Sequence, residues 1–347
     1  MLSNNLQVNS GNVPDSDTGR MERNMSVGVR IVVEDDGRVT VQNDAGIKRE
    51  QKGKSLLLAT RDFVAIDVET TGLSPMFDDI IELAAVRYAD GVQAETYEQL
   101  VNPGYEIDAF ISALTGITND MLKDAPALDS VLPEYIKFLG ESALVGHNVN
   151  FDINFLYDAC VDLNLPPLKN DFIDTMRISR RMYKDWPNHR LDTLISELDL
   201  PARYEHRAAR DAIIAGEAYL KMSASDSFVD AMEPTAKSYN SMAKSIVAKE
   251  GYSNESSPLY GKVCVFTGAL ESFTRRDAMQ LVVDIGGICG DGVTKKTNYL
   301  ILGNNDYCKA IKDGKSSKQK KAEKLILEGA DLKIIPESVF LELIDAE

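Results

Sequence analysis

Apolar and polar positions first alternate in two short runs, VRIVV at 29–33 and RVTVQ at 38–42, on either side of Asp36-Gly37. That dipeptide suits a two-residue turn whose central positions need positive φ, so the pattern predicts a small β-hairpin. Residues 1–25 are rich in Asn, Ser, Asp and Gly without apolar periodicity and read as a mobile tail. From Phe63 the segments FVAIDVE, IIELAAVRYADG and ETYEQLVNP read as strands, SVLPEYIKFLG as a helix, ALVGHN as a strand, and another helix begins near Asn150, which is placed to cap it. Strands interleaved with helices predict an α/β domain with a mixed sheet. A last helix near 206–222 carries Ala209, Ile213, Gly216 and Leu220 at helical spacing, the stripe expected to face the core.

Polar residues then dominate through GYSNESSP, which reads as a linker. After it, GKVCVFTG and TNYLILG read as strands, RRDAMQLVVDIGG as a helix, and KKAEKLILEG and PESVFLELI as helices flanking the short strand LKII. The expected organisation is a tail at 1–25, a hairpin region at 26–55, an α/β domain at 56–222, a linker at 223–258 and a compact α/β domain at 259–347.

Composition adds exclusions. With 44% hydrophobic and 27% charged residues in 347, the chain is neither collagenous nor wholly disordered. No window holds the roughly 18 apolar residues of a spanning helix, and the opening lacks a signal-type apolar segment, so a cytoplasmic protein without membrane association is expected. Cys160, Cys264, Cys289 and Cys308 are scattered with no C-x-x-C pair, which predicts reduced thiols rather than a zinc knuckle or disulfide framework. The net charge of −16 is concentrated: residues 56–225 hold 28 acidic and 14 basic side chains, whereas 295–324 hold nine lysines against three acidic residues. Most of the acidic surplus is a solvated surface, but some of those carboxylates are candidates to hold metal.

In VAIDVETTG, Asp67 and Glu69 are two apart on a strand, so both carboxylates leave one face while Ile66 and Val68 enter the core. Gly72 in the following Thr70-Thr71-Gly72-Leu73 permits a turn that brings backbone and Leu73 toward a ligand. Asp152 stands at the start of a helix, where the commoner role of an acid is to complement the helix dipole. His206 precedes Asp211 by five residues, about 500° of helix, so the two do not stack on one face and His206 belongs to the loop or first turn.

Taken together, Asp67 and Glu69 in VAIDVETTGL, Asp152 in VGHNVNFD, and His206 with Asp211 in HRAARDA resemble the DEDDh exonucleases, the group of the proofreading subunits of bacterial replicative DNA polymerase. The likeness runs from about 62 to 222 and includes NPGYEI, the GIT of LTGIT and the DT of FIDTM, with Thr115 where many members have histidine. It implies an RNase H-like sheet and 3′ to 5′ hydrolysis. Four carboxylates suit two hard divalent ions, Mg²⁺ or Mn²⁺, which prefer oxygen ligands. His206 is the base available near neutral pH. The resemblance further implies that Thr70, Thr71, Leu73, Asn148 and Phe151 contact the substrate.

Residues 259–347 resemble a BRCT domain through GKVCVFTG, the IGG after the first helix, TKKTNYLILG and KIIPESVF, and within that family the subgroup of NAD-dependent DNA ligases and the large replication factor C subunit. In that subgroup the positions of Thr267, Gly268, Arg275 and Lys318 form a phosphate pocket, with Arg275 beginning a helix and Lys318 preceding the next. A cluster of lysines around such a pocket would grip DNA through counterion release. The expectation is a metal-dependent 3′ to 5′ exonuclease acting on DNA in replication or repair, with a DNA polymerase or another replication or repair protein as candidate partner. The alternatives are an RNA 3′-end trimmer and a factor that docks to a polymerase or a phosphoprotein.

Overall fold

The structure is a computed structural model of the chain, and it describes residues 30–33, 39–42, 49–186, 188–201, 207–232, 243, 246–249, 254–303 and 315–345. The chain divides into two compact units, one of Arg49–Thr235 and one that joins Met1–Lys48 to Ala236–Glu347. The tail at 1–25 and the expected turn at Asp36-Gly37 lie outside the described residues. The hairpin strands themselves are present: β1 (Arg30–Val33) pairs antiparallel with β2 (Val39–Gln42).

In the unit of Arg49–Thr235, β3 (Phe63–Thr70), β4 (Ile80–Ala89) and β5 (Val92–Leu100) form an antiparallel meander. Asp90-Gly91, with φ of 48° and 72°, makes the tight turn between the last two. Three helices follow, α1 (Ala109–Thr115), α2 (Asn119–Leu122) and α3 (Leu128–Leu139). Next come β6 (Leu144–Gly146), α4 (Asn150–Asp162) and β7 (Phe172–Asp174). The unit is completed by α5 (Thr175–Met182), α6 (Leu191–Glu197), α7 (Ala208–Ser223) and α8 (Ser227–Met232). Since β6 and β7 run parallel to β3, the sheet is mixed, in the order β5-β4-β3-β6-β7.

Strand β3 is covered on both faces. Val64, Ile66 and Val68 join a core with Tyr135, Leu139, Ile153 and Leu156, while Phe63 and Ala65 join another with Ile178, Leu194, Ala212 and Tyr219. By the two-residue period, Asp67 and Glu69 continue the second face, the one on which α7 packs. Helix α7 is buried along Ala208, Asp211, Ala212, Ala215 and Tyr219, whereas Ala209, Ile213 and Leu220 of the expected stripe are half-buried. Gly216 does face inward: a Cβ there would come within 2.7 Å of the Tyr88 ring, so its absence lets the helix sit down on β4.

Two segments at and beyond the bounds expected for the α/β domain also pack on this unit. Residues 49–62 lie along it as a strap: Arg49 is bidentate to Asp158 at 2.8 and 2.6 Å, and the Thr60 N–H donates to Tyr219 Oη at 2.8 Å. Phe228 of α8, within the span that reads as linker, enters the α5–α7 core.

The second unit is built on β8 (Val263–Thr267), α9 (Arg275–Asp284), β9 (Ile288–Gly290), β10 (Tyr299–Leu302), α10 (Ser317–Leu327), β11 (Lys333–Pro336) and α11 (Glu337–Asp345). Its four strands are parallel, in the order β11-β10-β8-β9. Strand β2 lies against α10, and Val41 is part of the core formed by Val265, Leu300, Ala322, Ile326 and Ile334. The early hairpin is thus part of the C-terminal unit, a long-range pairing that local periodicity does not carry. Cys160, Cys264 and Cys289 are free, and Cys308 lies outside the described residues. Burial pushes the Cys160 thiol up to about 11 and Cys289 up to about 12, so both stay protonated.

Candidate functional site

Asp67 and Glu69 reach the site from the C-terminal end of β3, and Asp211 reaches it from the first turn of α7. One carboxylate oxygen from each of the three lies within 4.8 Å of those of the other two. Asp152 adjoins them: its Oδ1 accepts the N–H of Val68, the residue between Asp67 and Glu69, at 2.9 Å, and the side chain is only 3% exposed. Burial and the charges of Asp152 and Asp67 push the Tyr135 phenol well above its ordinary value. The four acids named from the sequence therefore meet at one strand end, three as a tight group and the fourth against the backbone that carries two of them. An all-oxygen donor set fits hard divalent cations and disfavours thiolate-seeking metals.

His206 lies outside the described residues, directly before Arg207, the residue that precedes α7. The other two histidines are interior groups. Burial, with the Arg180 charge adding to it, holds His147 and His189 each near a pKa of about 3. His147 Nδ1 is 2.9 Å from Thr175 Oγ1, whose hydroxyl donates to Gly146 O, and His189 Nδ1 is 3.1 Å from Ser179 Oγ. Neither is poised to exchange protons near neutral pH.

The loop after β3 is tied down by its own hydroxyls. Thr70 Oγ1 donates to Gly72 O at 2.6 Å, and Thr71 Oγ1 accepts the Asp79 N–H at 2.9 Å. Tyr105 Oη donates to Asp79 Oδ2 at 2.7 Å and is 3.2 Å from Thr71 Oγ1. Leu73 is buried at 6% exposure, so its side chain already packs within the protein. Asn148 is buried with a φ of 55°, a left-handed backbone held by Asp174 Oδ1, which accepts the Asn148 N–H at 3.1 Å and also caps α5. Burial pushes Asp174 up to about 6 despite three backbone N–H donors. Phe151 is half-buried against Phe155, ring centroids 5.0 Å apart. Asn150 is the first residue of α4 rather than its cap. Val149 takes that place, with no side-chain acceptor to offer, while the Asn150 amide oxygen accepts from Lys52 Nζ at 2.9 Å. Thr115 is buried and closes α1 through a 2.9 Å bond to Ile111 O.

Sequence reasoning missed a further acid. Glu82 on β4 stands directly across from Glu69 on β3 and is completely buried. Its carboxylate receives Arg207 Nε at 3.1 and 3.2 Å, Arg207 Nη2, and the backbone N–H of Ala208 at 3.0 Å. Those bonds push the Arg207 guanidinium above its ordinary value, with the charges of Glu82, Glu98 and Glu69 adding to the rise. The signal was present: Glu82 is the one charged residue in the apolar run IIELAAV.

In the second unit two cationic side chains converge near the end of β8. Thr267 is the last residue of that strand, Gly268 follows with a φ of 80°, and Arg275 opens α9. Lys318 lies in the first turn of α10, not ahead of the helix as the sequence suggested. Arg275 Nη2 donates to Gly268 O at 2.7 Å and Lys318 Nζ to Phe266 O at 2.8 Å. Burial and then the Arg275 charge lower the Lys318 pKa, the cost of two cations converging. Thr267 Oγ1 donates to Ser316 Oγ at 3.0 Å, and Ser316 caps α10, so the serine joins the residues at this strand end, which the sequence did not indicate.

Residues 64–219 match the family model of the exonucleases, and residues 254–328 match that of the BRCA1 C-terminus (BRCT) domain. DNA polymerase III PolC-type of Caldanaerobacter subterraneus subsp. tengcongensis is 38% identical over 202 residues, 58% of this chain and 14% of its own length. DNA polymerase III PolC-type of Bacillus subtilis is 39% identical over 180 residues, 52% of this chain and 12% of its own length. The chain thus spans only about a seventh of the length of these relatives. Among solved structures, exonuclease X in complex with 5′ overhanging duplex DNA is 29% identical, with a TM-score of 0.38 over 46% of this chain and 90% of that one.

Proposed function

We propose that this chain, which carries an exonuclease domain over 64–219 and a BRCT domain over 254–328, removes nucleotides from DNA 3′ ends with two divalent metal ions and holds its substrate partly through the BRCT pocket. The observation that carries this reading is the carboxylate group of Asp67, Glu69 and Asp211 with Asp152 bonded to the strand between the first two. Asp67, Glu69, Asp152 and Asp211 would hold Mg²⁺ or Mn²⁺. Bound there, such ions supply Lewis acidity to the attacking and leaving oxygens of an in-line displacement.

The chain's own residues do the rest. His206 takes the proton of the attacking water at an imidazole nitrogen, as general base. Unlike His147 and His189, which are held near a pKa of about 3, it directly precedes Arg207, the residue before α7. Thr70, Thr71, Asn148 and Phe151, around the end of β3 and the start of α4, orient the terminal nucleotide. Leu73, already buried, supports that loop from beneath.

DNA rather than RNA is favoured by the polymerase relatives and by the BRCT domain. Arg275 and Lys318, with Thr267 and Gly268, would hold a phosphate, a 5′-terminal one most strongly, because it accepts more charge-assisted bonds than an internal diester. A polymerase or other replication or repair protein is the partner that such relatives suggest.

The test is hydrolysis of labelled single-stranded DNA, duplex DNA and RNA of one sequence, with Mg²⁺ and with chelator. Metal-dependent shortening of DNA from the 3′ end supports the reading. Shortening of RNA alone would make the chain an RNA trimmer, and no hydrolysis of any substrate would leave it a docking factor.

A further inference from the structure

Five carboxylates crowd the end of β3: Asp67, Glu69, Asp152, Asp211 and, across the strand pair, Glu82. Glu82 has both its oxygens committed to a resident cation. It is also the most enclosed of the five, and Arg207 is itself the residue between His206 and the first turn of α7. A carboxylate that binds both the guanidinium before a helix and the helix's first N–H fixes where that helix starts. Asp211 follows one turn later.

We propose that Glu82 and Arg207 are a positioning pair for the metal site. They fix the start of α7 so that Asp211 stands within reach of Asp67 and Glu69, and they withhold the Glu82 carboxylate from the metal set. Neither touches the reacting atoms. The bidentate fork and the Ala208 N–H take up three of the roughly four acceptor directions of Glu82 and neutralise its charge, which makes it a poor ligand although Glu69 lies directly opposite. Without Arg207, Glu82 would be a buried, uncompensated charge at the start of α7, which destabilises that helix start and frees the carboxylate for a proton or a misplaced ion. Two separate properties therefore depend on the pair, the placement of Asp211 and the identity of the ligands. This inference rests on the metal-binding reading given above.

The experiment is a Mn²⁺ titration of the full chain, with free ion followed by its electron paramagnetic resonance signal, on wild type, Glu82→Gln, Arg207→Gln, Arg207→Lys and the double variant Glu82→Gln/Arg207→Gln. Outer partners of metal ligands typically change affinity by roughly 10- to 100-fold when removed, and a weakening of that size is expected for Arg207→Gln. Glu82→Gln keeps an acceptor for the Ala208 N–H, so it should weaken Mn²⁺ less and remain folded. Arg207→Lys, which keeps the charge but loses the fork, should fall between wild type and Arg207→Gln. The double variant should be no worse than Arg207→Gln, since the uncompensated carboxylate is gone. On DNA, kcat should fall with KM little changed. Lowered melting temperatures with wild-type Mn²⁺ affinity in every variant would overturn the proposal and leave an ordinary structural ion pair. If the wild type itself binds no Mn²⁺, it is the metal-binding reading that falls.

Discussion

The exonuclease and BRCT domains place their chemistry at the same architectural spot and with opposite sign. In each, the first strand of a sheet runs apolar through the core and turns polar at its C-terminal end near a helix start: β3 carries Asp67 and Glu69 near the start of α7, and β8 ends in Thr267 near the starts of α9 and α10. The first gathers carboxylates, suited to cations, and the second gathers Arg275 and Lys318, suited to anions. A strand end is where backbone leaves its ladder and side chains can converge without breaking a core. Which charges are placed there decides what the site takes. In both, like charges lie close together, an arrangement whose mutual repulsion an oppositely charged ligand would relieve.

Breaking the acidic half should have the largest effect. Asp152→Ala removes a proposed metal ligand and the acceptor of the Val68 N–H. Hydrolysis should be abolished while circular dichroism remains that of the folded chain, and near wild-type turnover with Mg²⁺ would contradict the assignment. His206→Ala should slow the reaction by roughly 10²- to 10⁴-fold, the usual scale of general-base loss, read as kcat at neutral pH.

On the cationic half, Arg275→Ala with Lys318→Ala should weaken duplex binding by roughly tenfold or more, as expected from two charged hydrogen bonds. Each lost phosphate contact should also flatten the slope of log affinity against log salt by about 0.9. Point variants suit this question better than truncation, because removing α10 would strip the cover from Val41 and the hairpin. Unchanged affinity and slope would make the lysine-rich surface a solvated face and the BRCT domain a protein-docking module.

Acid separates the two domains in a third way, since all three histidines lie in the unit of Arg49–Thr235. His147 and His189, held near a pKa of about 3 in the fold, titrate near 6.5 when unfolded. The unfolded state is then the one that takes up protons, so their contribution is complete above pH 6.5 and is lost as the pH falls from there toward 3. In that window each buried histidine should steepen the loss of nuclease stability by about 1.4 kcal/mol per pH unit, and His147→Gln should remove one such increment. Calorimetry across pH 4–7 reads it, and a BRCT transition with the same histidine-dependent slope would refute the distinction. Smallest of all, Ser316→Ala deletes the α10 cap and the Thr267 partner, which should lower BRCT stability by about 1 kcal/mol in denaturant titration.

The two sites also differ in how much the sequence showed. The strand-end acids were legible because the period of two puts Asp67 and Glu69 on one face whatever the rest of the chain does. Their meeting with Asp152 and Asp211 was legible only as a family pattern, since nothing local brings residues 67, 152 and 211 together. Glu82 was overlooked because a single acid in an apolar strand has no local partner, and Arg207 is 125 residues away. The α7 stripe was misjudged for a related reason. The helix is covered by β3, β4, α5 and α6 together, so more of its circumference is buried than an amphipathic surface helix would bury. The hairpin was read correctly as strands, yet its place in the BRCT unit depends on Val41 meeting α10 across nearly three hundred residues. Ser316 looked like an ordinary cap in a lysine-rich segment, and only the approach of β8 gives it a second role.

The most direct test of the central claim is the digestion of 5′-labelled and 3′-labelled single-stranded DNA by the full chain in Mg²⁺, in chelator, and by Asp67→Asn in Mg²⁺. The expected result is a ladder of 5′-labelled products shortening from the 3′ end, immediate release of label from the 3′-labelled strand, and no reaction with chelator or with Asp67→Asn. Hydrolysis that persists in chelator, or in Asp67→Asn at the wild-type rate, would contradict metal-dependent catalysis on the β3 carboxylates.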